Sequence, residues 1–241
     1  EQNDSPTNYV ATYGTPVPKP TYSVPKSISG YTGIPLNQAH DFSLSTYENI
    51  TYDQDDGAFV FNGVDSSLYW SSAHIDVFAG LVDGFTLEAW VNTANFVPPG
   101  PPPGNTGARI MGLGGTGLSG DLHILSTGKL RGRGGGAQSG EWIIDSEAMN
   151  LNQWYHIVCT LSEERYVKIW RDGVLRGTYD HGVGNAAFNS AAKAISIGRY
   201  VPGGNSFQYN GKIGQARAYS RSLSNAEIIN NFEATRSRYG V

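Results

Sequence analysis

The sequence predicts an all-β fold: a two-sheet antiparallel sandwich closed by a short C-terminal helix and preceded by an extended N-terminal arm. Three observations predict it. In Trp154–Leu161 the side chains of Tyr155, Ile157, Cys159 and Leu161 alternate with Trp154, His156, Val158 and Thr160, the period of a strand with one strongly apolar face. Asp172-Gly173 stands between the strand-like runs YVKIW and VLRGTY, and an Asp-Gly pair supplies the positive φ of a two-residue type I′ hairpin. Finally, of 12 prolines six lie between Pro6 and Pro35 and five between Pro98 and Pro103. Proline removes a backbone donor, so this distribution leaves most of the remaining chain free to form hydrogen-bonded sheet.

The elements follow in order. Residues 1–38 have no sustained alternation and contain TPVPKP, a semi-rigid extended arm by composition. Such a segment buries little of itself, so it is expected to lie on a partner or on the sandwich, outside the core. Residues 39–241 hold the domain. Residues 97–107, VPPGPPPGNTG, read as a stiff projecting loop, a spacer or a recognition loop. RGRGGG at 131–136 reads as a Gly-rich hairpin loop between the KL and EWII strands. At the C-terminus Ser224 is an N-cap, Glu227 closes a capping box, and Leu223 staples to Ile228. Ile228, Ile229 and Phe232 share one side of the helix that follows, which should seat against the sandwich.

Composition narrows the function classes. The net charge is −4 with no basic cluster, which argues against a phosphate-neutralising nucleic-acid surface. No apolar run reaches the ~18 residues of a membrane span. Cys159 is the single cysteine, so no intramolecular disulfide forms, and its place in the apolar run reads as a buried small hydrophobe. The chain opens at Glu1 without an initiator Met, which reads as processing or truncation. The two sequons, at Asn3 and Asn49, matter only in a glycosylating host.

Catalytic patterns are weak. A retaining glycosidase needs two carboxylates ~5 Å apart, and Glu141, Asp145 and Glu147 in EWIIDSE lack the spacing of such a pair. Asp145 and Glu147 read instead as a solvated strand end. The five histidines have no paired spacing, no G-x-S-x-G elbow exists, and MGLGGTGLSG at 111–120 lacks the Lys-Ser/Thr of a phosphate loop. His156 reads as a strand residue making a local hydrogen bond. More suggestive is RYVPGGNSFQYNG, where Tyr200, Phe207 and Tyr209 bracket a turn containing Asn205. A ring beside an amide is a workable sugar or peptide platform; packing of Phe207 or Tyr209 at the core edge is the alternative.

Several motifs in fixed order carry a resemblance. GFTLEAWV (84–91), WYHIV (154–158), DGVL (172–175), IG (197–198), GKI (211–213), RAYSRSLS (217–224) and AEI (226–228) follow one another along the chain. This run resembles the laminin-G-like branch of the concanavalin A-like jelly rolls, and FVFNGVDSSLYW (59–70) is similar to that family's opening strand pair. The resemblance covers residues 39–241 and implies a jelly-roll sandwich. It marks Glu88 as a structural position. It also implies one calcium ion at the sandwich rim, for which Asp65, Asp121 and Asn205 are the candidates by position.

Family resemblance also ranks the functions. Compact jelly rolls of this type are frequent in tailed-phage virions, so the leading expectation is a non-enzymatic virion structural or adhesion protein of the fibre or head-decoration kind. Residues 1–38 would attach it to neighbouring subunits, and it would present its domain to surface glycans at the virion surface or in the extracellular space. A glycan-binding module of a secreted cellular protein is the second reading and a glycoside hydrolase the third. Fibre-type relatives are commonly trimers, but no heptad marks a homo-oligomer interface here.

Overall fold

In a computed structural model, residues 27–29, 41–43, 46–70, 84–97, 107–113, 119–135, 142–180, 195–200, 207–219 and 221–241 are described. Two seven-stranded antiparallel sheets stack face to face. Their strands are β3 (Thr46–Glu48), β4 (Thr51–Asp53), β5 (Ala58–Asn62), β6 (Ser67–Trp70), β7 (Phe85–Asn95), β8 (Ala108–Leu113), β9 (Ser119–Ile124), β10 (Lys129–Gly135), β11 (Trp142–Ala148), β12 (Trp154–Leu161), β13 (Tyr166–Arg171), β14 (Val174–Asp180), β15 (Ile195–Ile197) and β16 (Asn210–Tyr219). Sheet I runs β11-β10-β9-β8-β15-β6-β3, and sheet II runs β14-β13-β12-β7-β16-β5-β4. Two earlier strands, β1 (Ser27–Ser29) and β2 (Asp41–Ser43), pair with each other in a separate ribbon. The rest of the segment 1–38, and the loop at 98–106, lie outside the described residues.

The alternation seen in the sequence sets the core. Phe85, Leu87, Ala89 and Val91 of β7 and Tyr155, Ile157, Cys159 and Leu161 of β12 point inward, meeting Ile110, Leu122, Ile124 and Leu130 of sheet I. Burial pushes the Cys159 thiol pKa upward, which leaves it an inert core group. Asp172 and Gly173 both have positive φ, 52° and 73°, and Arg171 pairs directly with Val174 across a two-residue turn.

The outward face of β12 is buried as well, which the alternation alone did not predict. A helix, α1 (Asn225–Thr235), followed by a 3₁₀ turn (Arg236–Tyr239), lies over it. Trp90 stacks on Tyr239 with centroids 4.4 Å apart and on Phe232 at 5.9 Å, and Trp154 meets Tyr239 at 4.7 Å. Ser224 accepts from the Glu227 amide and Glu227 reaches back to the Ser224 N–H, the expected capping box. Leu223 and Ile228 pack with Val158, Trp170 and Tyr219. Ile229 was expected on that seated side but is 42% exposed, because the helix rests on Ile228 and Phe232.

Two further expectations change. RGRGGG is largely strand: β10 extends through Gly135, pairing with β9 and β11. Gly132 and Gly134 face the core, where a Cβ on Gly132 would lie 2.3 Å from Ile169 Cγ2 and one on Gly134 would lie 3.0 Å from Val167 Cγ2. Asp145 is fully buried, not solvated. Arg171 and Arg176 hold both Asp145 and the exposed Glu147, tying β11 at the edge of sheet I to β13 and β14 of sheet II. Among the described residues no helix is long and apolar enough to cross a membrane.

Candidate functional site

Two clusters of chemistry-bearing side chains stand on the outer faces of the sandwich. Under α1, Glu88 Oε1 accepts from His156 Nε2 at 3.0 Å and from Arg217, while Glu88 Oε2 accepts from Asn231 at 2.8 Å. His156 therefore makes a long-range buried contact rather than a local bond. Burial alone pushes the Glu88 carboxyl up, but Arg217, His156 and Asn231 outweigh it and hold the pKa at about 2. The cluster is sealed by the helix and acts as its polar anchor, which agrees with the structural reading of Glu88.

On the outer face of sheet I the arrangement differs. Arg131 and Arg133 sit two residues apart on β10, so strand alternation puts both on one face, opposite His123 and Asp121 of β9. Arg109 of β8 lies across from His123 on the other side and pairs with Asp121 at 2.5 Å. Gly112 makes room for this pair: a Cβ there would lie 2.6 Å from Arg109 Nη1 and 2.8 Å from Asp121 Oδ1.

The protonation of His123 follows from its partners. Arg131 Nη2 lies 2.9 Å from His123 Nδ1, and a guanidinium can only donate, so Nδ1 accepts and the imidazole is neutral. The other ring nitrogen, Nε2, lies 3.4 Å from the donor Arg109 Nε and 3.7 Å from Asp121 Oδ2. Burial first, and then the positive charges of Arg131, Arg109 and Arg133, push the His123 pKa well below its ordinary value. Burial likewise lowers Arg131, helped by the like charges of Arg133 and Arg109.

Two rings frame this polar cluster. The Arg109 guanidinium lies over the Tyr200 ring, 4.4 Å from its centroid, and Phe207 meets His123 edge-on at 5.4 Å. Both rings are half-buried. Phe207 has φ 60°, a left-handed backbone for a bulky side chain, costing on the order of 1–3 kcal/mol. Its carbonyl accepts from the Arg109 N–H at 2.8 Å, which pins the strained residue to β8.

Of the residues singled out in the sequence, Tyr200 and Phe207 thus meet at this cluster. Tyr209 does not: it is fully buried against Phe61, and its hydroxyl donates to the Lys212 carbonyl, so it is a core residue and no platform. Asn205 lies outside the described residues. The two described calcium candidates, Asp65 and Asp121, have separate partners, and among the described residues no group of three or more His, Cys, Asp and Glu could hold a metal. Asp121 is paired to a guanidinium, and the two Asp65 oxygens accept from the Asn49 and Asn62 amides at 2.6 and 2.7 Å. Asn62 Oδ1 accepts from the amides of Val64, Asp65 and Ser66, which fixes its NH₂ toward Asp65. Neither carboxylate presents the donor set of a cation site.

Arg109, Asp121 as its ion-pair partner, His123, Arg131 and Arg133 were missed as a site in the sequence. The available signal was period two: GDLHI and RGR each place two polar side chains on one strand face.

Known folds match this architecture. The binding domain of botulinum neurotoxin DC in complex with SialylT superposes with a TM-score of 0.59 at 14% identity, over 87% of this chain and 52% of that one. Botulinum neurotoxin type C, whose cell entry is described as dependent on two ganglioside molecules, gives 0.58 at 15% identity over 87% and 51%. Trypanosoma rangeli sialidase, in complex with a difluoro-KDN, gives 0.61 at 19% identity over 90% and 34%. The chain therefore spans about half the length of the toxin chains and a third of the sialidase. No curated protein matches the sequence. A sequence profile of the Laminin_G_3 family matches residues 62–229, and the chain belongs to that family of the concanavalin A-like lectin/glucanases superfamily.

Proposed function

We propose that this protein is a non-enzymatic glycan-binding domain, displayed as the adhesion or decoration module of a virion. The observation that carries the glycan reading is the face of sheet I where Tyr200 and Phe207, half-buried rings, flank Arg109 and His123. Sugars are bound by ring faces that take their C–H edges together with fixed donors and acceptors that take their hydroxyls. Fold relatives support the same reading, since the toxin domains are described with SialylT and with gangliosides.

The non-catalytic reading is supported by Asp145 and Glu147, the acid pair weighed in the sequence, which are both engaged by Arg171 and Arg176. The virion reading is supported by the ordered run of motifs and by the proline-rich segment 1–38. Deleting residues 1–38 should leave a folded sandwich that no longer joins its parent particle. Normal incorporation of the truncated chain would favour a glycan-binding module of a secreted cellular protein.

The glycan reading is tested on an oligosaccharide array with the full chain and with Tyr200→Ala and Phe207→Ala. Binding of at least one glycan class, weakened up to about tenfold by either change, is expected, because a ring contact is worth about 0.5–1.5 kcal/mol beyond the area it buries. No reducing sugar should be released from any bound glycan. Absence of binding across the array, or binding that ignores both substitutions, would sink the proposal.

A further inference from the structure

Among the described residues, Asn49, Asn152, Arg165, Asp172 and Phe207 have a positive φ without being glycine. Asn and Asp tolerate the left-handed region, because their short polar side chains bond locally. Arg165 closes the link between β12 and β13, where its N–H donates to the Ser162 carbonyl. Phe207 is a different case: it puts a bulky aromatic side chain at φ 60°, where the backbone suits glycine.

The neighbours impose this conformation. The Phe207 carbonyl accepts from the Arg109 N–H at 2.8 Å, and the Tyr209 N–H donates to the Gly198 carbonyl at 2.7 Å. Tyr209 itself is fully buried against Phe61. Strain of this kind persists only where the surroundings over-determine the backbone. Glycine would meet the same constraint at no steric cost, and the chain uses it nearby, at Gly198 with φ 86° and Gly211 with φ 146°. Core packing accounts for only part of the Phe207 ring, which is half-buried and meets His123 edge-on. The part that faces solvent adds nothing to the core.

Building on the glycan-binding reading, we infer that Phe207 is the preorganised specificity contact of the sheet I face, kept in a strained backbone so that its ring takes the C–H side of a sugar. The ties to Arg109 and Gly198 on either side of it fix the ring before the ligand arrives, so little ordering is needed on binding. Stability is given up at this one position in return for a contact that glycine could not make.

The experiment uses the full chain with Phe207→Gly, Phe207→Ala and Phe207→Tyr. Each is titrated on the oligosaccharide array that serves as the probe, and each is melted without ligand. Phe207→Gly and Phe207→Ala both lack the ring and differ only in the Cβ that the left-handed backbone crowds. The glycine variant should therefore melt about 2–4 °C above the alanine variant. Both should lose up to about tenfold in glycan affinity, while Phe207→Tyr, which keeps the ring, should bind within about twofold of the parent chain. A glycine variant that melts no higher than the alanine variant overturns the inference, because the position would then hold no strain; the glycan reading stands. Full binding by Phe207→Gly, with Tyr200→Ala still impaired, also overturns it and leaves the glycan reading intact. Loss in Phe207→Gly but not in Phe207→Ala would trace the effect to a loosened backbone instead of the ring, and a loss in Phe207→Tyr as deep as in Phe207→Ala would equally remove the ring from the contact. No binding of any glycan by the parent chain defeats the glycan reading itself, and this inference with it.

Discussion

The two outer faces of the sandwich use nearly the same residues to opposite effect. Each sets a buried histidine beside an arginine and a carboxylate: His156 with Arg217 and Glu88 on sheet II, His123 with Arg109 and Asp121 on sheet I. On sheet II one cation meets one anion, both oxygens of Glu88 have donors, and α1 closes over the cluster. On sheet I two more guanidinium groups, from Arg131 and Arg133, join the same neighbourhood, and the flanking rings of Tyr200 and Phe207 remain partly open to solvent. Matched charges under a lid make a structural anchor. Half-buried rings beside buried polar groups make the face on which the proposed glycan contact rests.

The largest expected effect tests the closed face. Arg217→Met leaves the buried Glu88 without its arginine partner, which should destabilise the fold by about 3–5 kcal/mol in denaturant unfolding. Arg131→Gln on the open face should cost less than about 1 kcal/mol, because Arg131 is only half-buried. Equal costs would remove the distinction between the faces.

Acid should separate the two faces by pH. Glu88 is held at about 2 in the fold against an ordinary 4.5, so the stability it contributes is complete above 4.5 and is lost as pH falls toward 2. That contribution is on the order of 3 kcal/mol. Glu88→Gln should flatten the unfolding profile in this window. His123, facing Asp121, Arg109, Arg131, Arg133 and Phe207, has its folded pKa depressed below 6.5. Its contribution is present above 6.5 and declines at lower pH, so His123→Gln should flatten the profile in the higher window. A profile in which neither substitution changes its own window contradicts the electrostatics of both faces.

A smaller effect concerns the lid. Ser224→Ala removes the capping hydrogen bonds and should cost about 1 kcal/mol, read as faster amide exchange along α1. Glycan affinity should stay the same, because the helix covers the opposite face. Weakened binding in this variant would show that the two faces are coupled through the core.

Much of the fold was legible because the signals are local. The capping box needs residues three apart, the Asp172-Gly173 turn needs two adjacent residues, and the inward set of β12 is a period-two pattern within eight residues. β10 misled because alternating Arg and Gly looks like a flexible tract when read alone. Only the packed sheets reveal that Gly132 and Gly134 lie where Ile169 and Val167 crowd a Cβ. The candidate cluster was half legible: Tyr200 and Phe207 frame it, but Tyr209 went to the core, where its N–H donates to the Gly198 carbonyl and its ring meets Phe61.

What the sequence determined by itself is the set of choices made within a few residues: strand period, turn type, helix start, and an apolar face that must be covered. What only the tertiary structure decided is which distant residues share a face. Glu88 meets His156 across 68 positions and Arg217 across 129, and Arg109 meets Asp121 through the register of β8 and β9. Register is fixed by the sum of core contacts over whole strands, and one residue of slip would send each of these charges to the opposite side of its sheet.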